Sequence, residues 1–523
     1  MRHVGNLLPR KRDALRFALW TTGAALVALL ASAALGIDHP WWAAMTVWLV
    51  AQPTRGLLLE RILARMTGTV IGAGAGSAIL IVAGGDWYAT LALLTLWLAL
   101  CAAGGSLARH FRTYAFVLSG YSAAIVVLFR LGAVGTGGDV SGDRILCTLI
   151  GIVCATVAAF RLPVPAKGAS IQDRLDALIG RVLDHVVAGT GGTDALLADV
   201  VALERQADDV AAGSVQERAA ARRARRAMGV LVELLALSPA CGARSPRPVS
   251  TAGDGIERAT YHAAAAGRED IVAALDELRS RMSNPPGGLA WRDRLAAIDW
   301  RRVAHAGLRP AIALTIAATL WWVSGWREGA MMAMAAALFA SVFSSHKQGN
   351  RALGYALVGA LIGVSLGAAY HVVVLPGHAS AAVVAVLILP VLLAGACLMR
   401  HPITAALAID LNMTFLLTAQ PLAPEASSST AAALHMSAAI IAGLSIAVLT
   451  YRLILPASMT TSATQLQHRA ARLYGALRTA PDIRTARRVK LALRATILRQ
   501  LDVADPDAAL AVLIRPLAPP DRG

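Results

Sequence analysis

Inside the apolar stretches of this chain, groups able to do chemistry are few and fall in two places. One is Asp410, in the run Ala408-Ile409-Asp410-Leu411-Asn412-Met413-Thr414. An ionised carboxylate in hydrocarbon is costly, so Asp410 must face protein or water. Thr414 is one helical turn further on and shares its face, Asn412 lies between them, and both are expected to line the substrate pathway. Two roles suit such a carboxylate. It can take up and release a proton that is coupled to substrate movement, or it can be a structural group hydrogen-bonded to a neighbouring helix. The other place begins with Trp41, Trp42, Thr46, Trp48, Gln52 and Pro53 and continues with Arg65 and Thr67. Tryptophans near the end of a span anchor it at the interface, and they can equally wall a site for a planar substrate. Arg65 can be a cytoplasmic anchor or a contact for an anionic substrate. Tyr114 and Tyr121, seven apart, share one helix face and serve either packing or a polar pathway lining. Glu328, beside Arg327, reads as a solvated rim charge with substrate or proton contact as the alternative.

No enzyme signature accompanies these groups. The chain has no G-x-x-x-x-G-K-[ST] phosphate loop, no G-x-S-x-G and no H-E-x-x-H. No catalytic residues, metal ligands or cofactor are expected. The five cysteines are scattered without metal spacing and read as small hydrophobes. The net charge of +17 does not imply nucleic acid. Its densest cluster, Arg222, Arg223, Arg225 and Arg226, lies on an Ala-rich helical pattern without interleaved aromatics.

What must position these groups is a membrane. The 523 residues are 56% hydrophobic with mean hydropathy +0.58, above the usual soluble range. Residues 17–36 run without a charge for a length that spans hydrocarbon. Similar runs lie at 66–83, 89–108, 113–129, 145–160, 352–375, 379–399, 402–424 and 432–451, with shorter ones at 41–54, 310–324 and 329–345. The expected fold is all-α and polytopic. Its parts are an N-terminal transmembrane half at 1–163, a cytoplasmic helical domain at 164–303, a C-terminal transmembrane half at 304–455 and a cytoplasmic helical tail at 456–523, with six spans in each half. The N-terminal run is too long for a signal peptide core, and a second membrane segment follows at once.

Charge sets the expected orientation. Arg2, Arg10, Lys11, Arg12, Arg16, Arg55, Arg61, Arg65, Arg109, Arg112, Lys347, Arg351 and Arg400 fall on one side, against Arg130, Arg144 and Arg327 on the other. The basic side is cytoplasmic, which puts both termini and the middle domain inside. Gly68, Gly72 and Gly76 recur as Gly359, Gly363 and Gly367, a four-residue spacing that lets backbones approach closely. The recurrence implies two copies of one six-span unit in parallel orientation, with a site where they meet. In the polar middle, helices are expected at 170–188, 194–212, 215–237 and 255–282, and in the tail at 460–479 and 482–503. Basic faces there can meet anionic membrane lipid.

The chain resembles the fusaric acid resistance (FUSC) family. The resemblance rests on His39-Pro40-Trp41-Trp42-Ala43-Ala44-Met45-Thr46-Val47, Gln52-Pro53-Thr54-Arg55-Gly56, Arg65-Met66-Thr67-Gly68-Thr69-Val70-Ile71-Gly72, Tyr114-Ala115-Phe116 and Gly120-Tyr121-Ser122. Ser122 stands where the family usually has Thr. The second half keeps Asn350-Arg351 and its glycines but lacks the Trp-Trp and Gln-Pro elements. The resemblance implies an inner-membrane exporter of aromatic carboxylic acids or related toxic compounds. It also implies a periplasmic adaptor and an outer-membrane channel as partners; a homo-oligomer is compatible with the sequence. A major facilitator transporter is disfavoured, because the loop after the second span lacks an Asp-Arg-x-Gly-Arg element. A passive organic-anion channel and a non-transporting membrane scaffold are the other readings.

Overall fold

The computed structural model describes residues 11–51, 55–108, 111–132, 140–161, 170–188, 192–211, 215–237, 252–283, 300–344, 349–374, 380–399, 404–422 and 430–455. It also describes His468, Arg472, Leu473, Gly475 and Ala476. Among these residues the regular structure is helical throughout. The chain forms two compact units, residues 1–165 with 300–457 and residues 166–299 with 458–523.

The first unit holds α1 (Lys11–Ala34), α2 (Trp41–Val50), α3 (Arg55–Ala83), α4 (Trp87–Leu107), α5 (Phe111–Leu131) and α6 (Val140–Phe160). Its second block is α12 (Trp300–Ser324), α13 (Gly329–Ser344), α14 (Gly349–Val374), α15 (Ala381–Leu398), α16 (Ala405–Ala419) and α17 (Thr430–Leu449), closed by a π-turn at Thr450–Ile454. Nine of the described helices are long and apolar enough to cross a membrane, and α2, α13 and α16 are shorter apolar helices. Outward-facing Val153, Val157 and Phe160 are exposed, as lipid-facing side chains are.

Two span lengths differ from the sequence reading. The short run 310–324 is the end of a full-length helix, since α12 continues through Arg309 and Pro310. Arg309 interrupts the hydropathy without interrupting the helix. It is buried, donates to Leu455 O (3.1 Å) and lies 4.3 Å over the Tyr451 ring. Conversely, the described part of the run 402–424 contains a helix of 15 residues, α16. That helix stops at Gln420, whose left-handed backbone (φ 40°) is followed by Pro421.

Glycines set the packing. A Cβ on Gly68, Gly72 or Gly76 would meet Ala115 O (2.6 Å), Ser119 O (2.4 Å) or Val126 Cβ (2.9 Å), so α3 and α5 run parallel with backbones nearly touching. On α14, a Cβ at Gly359, Gly363 or Gly367 would meet Leu407 O (2.2 Å), Thr414 Oγ1 (2.2 Å) or Thr418 Cβ (2.6 Å) of α16, also parallel. Gly151 of α6 faces Ala43 O of α2, and Gly443 of α17 faces Met332 O of α13. Between the blocks, α4 packs on α12 and α1 on α15, while α5 packs on α13 and α2 on α16.

The second unit contains α7 (Ile171–Ala188), α8 (Thr193–Ala211), α9 (Val215–Leu237), α10 (Ala252–Ala265) and α11 (Glu269–Ser283). Leu175, Ile179, Val182 and Val186 recur at helical spacing on α7 and bury against a core that includes Met228, Leu231 and Leu235 of α9. The single helix expected at 255–282 is broken at Gly267 (φ 68°), a conformation only glycine adopts without strain. Leu473 packs against this core; the rest of the expected tail helices lies outside the described residues.

Candidate functional site

The polar groups of the first block meet where α2, α3, α5 and α6 converge. Helix α2 has only ten residues, about 15 Å at the standard rise. All but Leu49 are buried. Close approach at Gly151 and along the Gly68–Gly76 seam draws α6 and α3 inward, so long side chains must fill the remaining space.

Arg65 is fully buried. Its Nη1 donates to the hydroxyl oxygens of Tyr114 (3.1 Å) and Tyr121 (2.7 Å), and its Nη2 to Thr46 Oγ1 (3.1 Å). One guanidinium thus joins α2, α3 and α5. One turn earlier, half-buried Arg61 lies 5.1 Å over the Tyr114 ring. Arg144 of α6 is 3% exposed. Its guanidinium lies 5.2 Å from the Trp42 ring and 6.0 Å from Tyr121. Beyond it, His39 stacks on Trp42 at 4.3 Å and 9°, with Nδ1 3.5 Å from Asp143 Oδ2. Cationic and aromatic groups therefore alternate in the order Arg61, Tyr114, Arg65, Tyr121, Arg144, Trp42, His39.

The carboxylate in this column, Asp143, lies against His39 and leaves the arginines without a paired counter-charge among the described residues. Among the described residues, no carboxylate pairs with Arg61, Arg65 or Arg144, and the Nε of each is buried without an acceptor. The indole N–H groups of Trp41 and Trp48 are likewise buried without an acceptor. Buried guanidinium groups are normally paired, and leaving one bare costs several kcal/mol. Such a set is able to receive an anion, and its flat aromatic faces favour a planar one.

The structure brings Trp41, Trp42, Thr46, Arg65, Tyr114 and Tyr121 into this one region. Thr67 is elsewhere: it is on the exposed face of α3, and its hydroxyl donates to Leu63 O (2.8 Å). Two residues on, Thr69 is the buried threonine. Gln52 lies outside the described residues.

Asp410, Asn412 and Thr414 are in the second block on α16. Thr414 Oγ1 donates to Asp410 O (2.7 Å) and Ala360 O (3.2 Å). Asn412 is fully buried against Gly395, and its Nδ2 donates to Leu392 O (3.4 Å). Asp410 is half-buried, and no described residue pairs with its carboxylate. Arg61 and Arg144 are members of the column that the sequence reading counted only as connection charges. The available signal for Arg144 was its place at the mouth of the apolar run 145–160; for Arg61 it was its distance of one turn from Arg65.

These helices define a multi-pass membrane protein, and the relatives it matches include proteins named as transporters. A family model described as "Fusaric acid resistance protein family" matches residues 14–286 and 242–512, and the chain belongs to that family. Among its relatives is an uncharacterized transporter, YdhK, of Salmonella typhimurium, 29% identical over 175 residues. That segment covers 32% of this chain and 25% of the relative. The p-hydroxybenzoic acid efflux pump subunit AaeB of Yersinia enterocolitica is 30% identical over 178 residues, 32% of this chain and 27% of the relative. The matched segment thus spans about a quarter of these relatives. No solved structure matches the chain.

Proposed function

We propose that this protein exports aromatic carboxylic acids or similar toxic organic compounds across a bacterial inner membrane, driven by the proton gradient. The observation that carries the reading is the column of buried Arg65 and Arg144 and half-buried Arg61, unpaired with any described carboxylate and interleaved with Trp42, Tyr114 and Tyr121. A substrate ring stacks on these aromatic faces while its carboxylate accepts from the planar donor fork of an arginine. The relatives named as p-hydroxybenzoic acid efflux pump subunits support the same substrate class.

In this reading Asp410 is the proton-coupling group, with Asn412 and Thr414 as its polar neighbours. Trp41, Trp42, Thr46, Gln52, Arg65, Tyr114, Tyr121, Asn412 and Thr414 belong to the substrate pathway, whereas Thr67, turned to the exposed face of α3, does not. Gly68, Gly72, Gly76, Gly359, Gly363 and Gly367 serve helix packing. The blocks α1–α6 and α12–α17 are two copies of one unit in parallel orientation. That relation is supported by the matching seams α3–α5 and α14–α16 and by the reciprocal contacts α4–α12 and α1–α15. The distribution of Lys and Arg supports cytoplasmic termini and a cytoplasmic second unit. Anionic lipid meets the basic faces of that unit. A periplasmic adaptor, an outer-membrane channel and a homo-oligomeric state complete the proposed assembly.

The test is flux in proteoliposomes containing the full chain. An imposed pH gradient should drive 4-hydroxybenzoate transport that Arg65→Ala lowers by about 100-fold. Transport of the wild type that ignores both the pH gradient and this substitution would sink the reading. Steady ionic currents carried by 4-hydroxybenzoate without a pH gradient would favour a passive anion channel.

A further inference from the structure

The column contains two kinds of arginine. Arg65 is committed: three of its donor contacts end on the neutral oxygens of Thr46, Tyr114 and Tyr121. Arg61 and Arg144 are not. Each lies over aromatic rings, and neither donates a hydrogen bond to a described residue. The two uncommitted arginines are on opposite sides of the committed one. Arg61 is a turn before Arg65 on α3. Arg144 opens α6, whose Ser141 Oγ lies 2.8 Å from Ser77 Oγ, three turns beyond Arg65 in the other direction.

We propose that Arg61 and Arg144 form two separate anion stations and that Arg65, held by Tyr114 and Tyr121, is the latch between them. This deepens the export reading and rests on it. A carboxylate at Arg61 lies beside Tyr114, whose hydroxyl already accepts from Arg65. To advance, it displaces that hydroxyl as the acceptor of the Arg65 guanidinium. The freed Tyr114 and Tyr121 hydroxyls then turn to donate to the carboxylate oxygens. Onward transfer to Arg144 places the ring between Tyr121 and Trp42, and the tyrosine oxygens return to Arg65. Each step exchanges one hydrogen-bond acceptor for another, so the latch never holds a bare buried cation. A single unlatched arginine would offer a deep trap, whereas two shallow stations either side of a latch allow both capture and release.

The experiment is equilibrium dialysis of radiolabelled 4-hydroxybenzoate against the purified full chain in detergent, followed by flux in oriented proteoliposomes. The wild type should bind two anions per chain, and Arg61→Gln and Arg144→Gln one each. In flux, Arg61→Gln should raise half-saturation about tenfold from the Arg61 side only, and Arg144→Gln from the opposite side only. Tyr114→Phe and Tyr121→Phe remove latch acceptors and leave both stations intact. They should keep the anions at Arg61 and Arg144 but hold substrate on the unlatched Arg65, slowing exchange severalfold. One anion per wild-type chain would overturn the proposal, and so would a two-anion count that neither glutamine variant lowers. Equal effects of both glutamine variants from both sides would overturn it as well. Lack of flux in the wild type, with two-anion binding that each glutamine variant halves, would reject export and uphold the stations.

Discussion

Where Gly72 meets α5, the first block surrounds its seam with Arg65, Tyr121 and Trp42. Where Gly363 meets α16, the second block offers no such set. The glycine contacts give the correspondence residue by residue. Gly68 and Gly359 face equivalent carbonyls, which pairs Arg65 with Ala356, Tyr121 with Met413 and Leu118 with Asp410. Gly151 and Gly443 do the same for the outer helices, pairing Trp42 with Met331, Thr46 with Ala335 and Arg144 with Met436. Backbone contacts are thus matched while the chemistry is divided. At these paired positions the first block carries cations and aromatic rings, and the second carries a carboxylate and methionines. A frame fixed by glycine leaves the side chains beside it free to diverge, because the close approach depends on backbone atoms and not on them.

Substitutions that exchange residues between the blocks test this division. The largest effect is expected from Arg65→Ala, which installs the residue of the second block. On the proposed pathway, loss of this buried guanidinium should lower aromatic-acid flux by about 100-fold, an effect of about 3 kcal/mol. Retained flux in the proteoliposome assay would mean that the first block is not where the anion binds. Next comes the shared frame. Gly72→Leu and Gly363→Leu should each destabilise the protein by about 1–3 kcal/mol through overpacking, read by thermal unfolding in detergent. Gly74→Leu, whose Cβ would meet nothing within 4 Å, is the control and should be near neutral. A large loss at one seam with none at the other would break the equivalence.

Asp410→Asn should reduce gradient-driven flux about tenfold while substrate exchange at equal pH persists, as expected when a proton site is removed but the anion site remains. Undiminished gradient-driven flux would take coupling away from the second block. Trp42→Met, again installing the second-block residue, is expected to have the smallest effect. Losing one aromatic face for a cation costs about 0.5–1 kcal/mol, so half-saturation for 4-hydroxybenzoate should rise about two- to fivefold. If cyclohexanecarboxylate, an anion without a flat ring, suffers the same rise, stacking on Trp42 is not the cause.

The sequence carried the membrane-spanning character and the glycine seams plainly, because hydropathy and four-residue spacing are local signals. It misjudged spans where one residue dominated the local average. Arg309 lowered hydropathy in a helix that nonetheless continues, and apolar residues beyond Gln420 hid the end of α16. Tyr114 and Tyr121 were readable as one face of α5. Their meeting with Arg65 and Thr46 was not, since it depends on how far α2 and α3 are drawn together. Arg61 and Arg144 were visible only as charges to be counted for orientation. Their part in the column comes from tertiary placement, as does the outward turn of Thr67 in favour of Thr69.

The seam between α3 and α5 has a mechanical corollary. Leu118, Ser122 and Val126 of α5 seat against Gly68, Gly72 and Gly76 like teeth in matching notches, so the contact resists sliding as well as separation. The two helices therefore act as one rigid beam, to which Arg65, Tyr114 and Tyr121 are fixed.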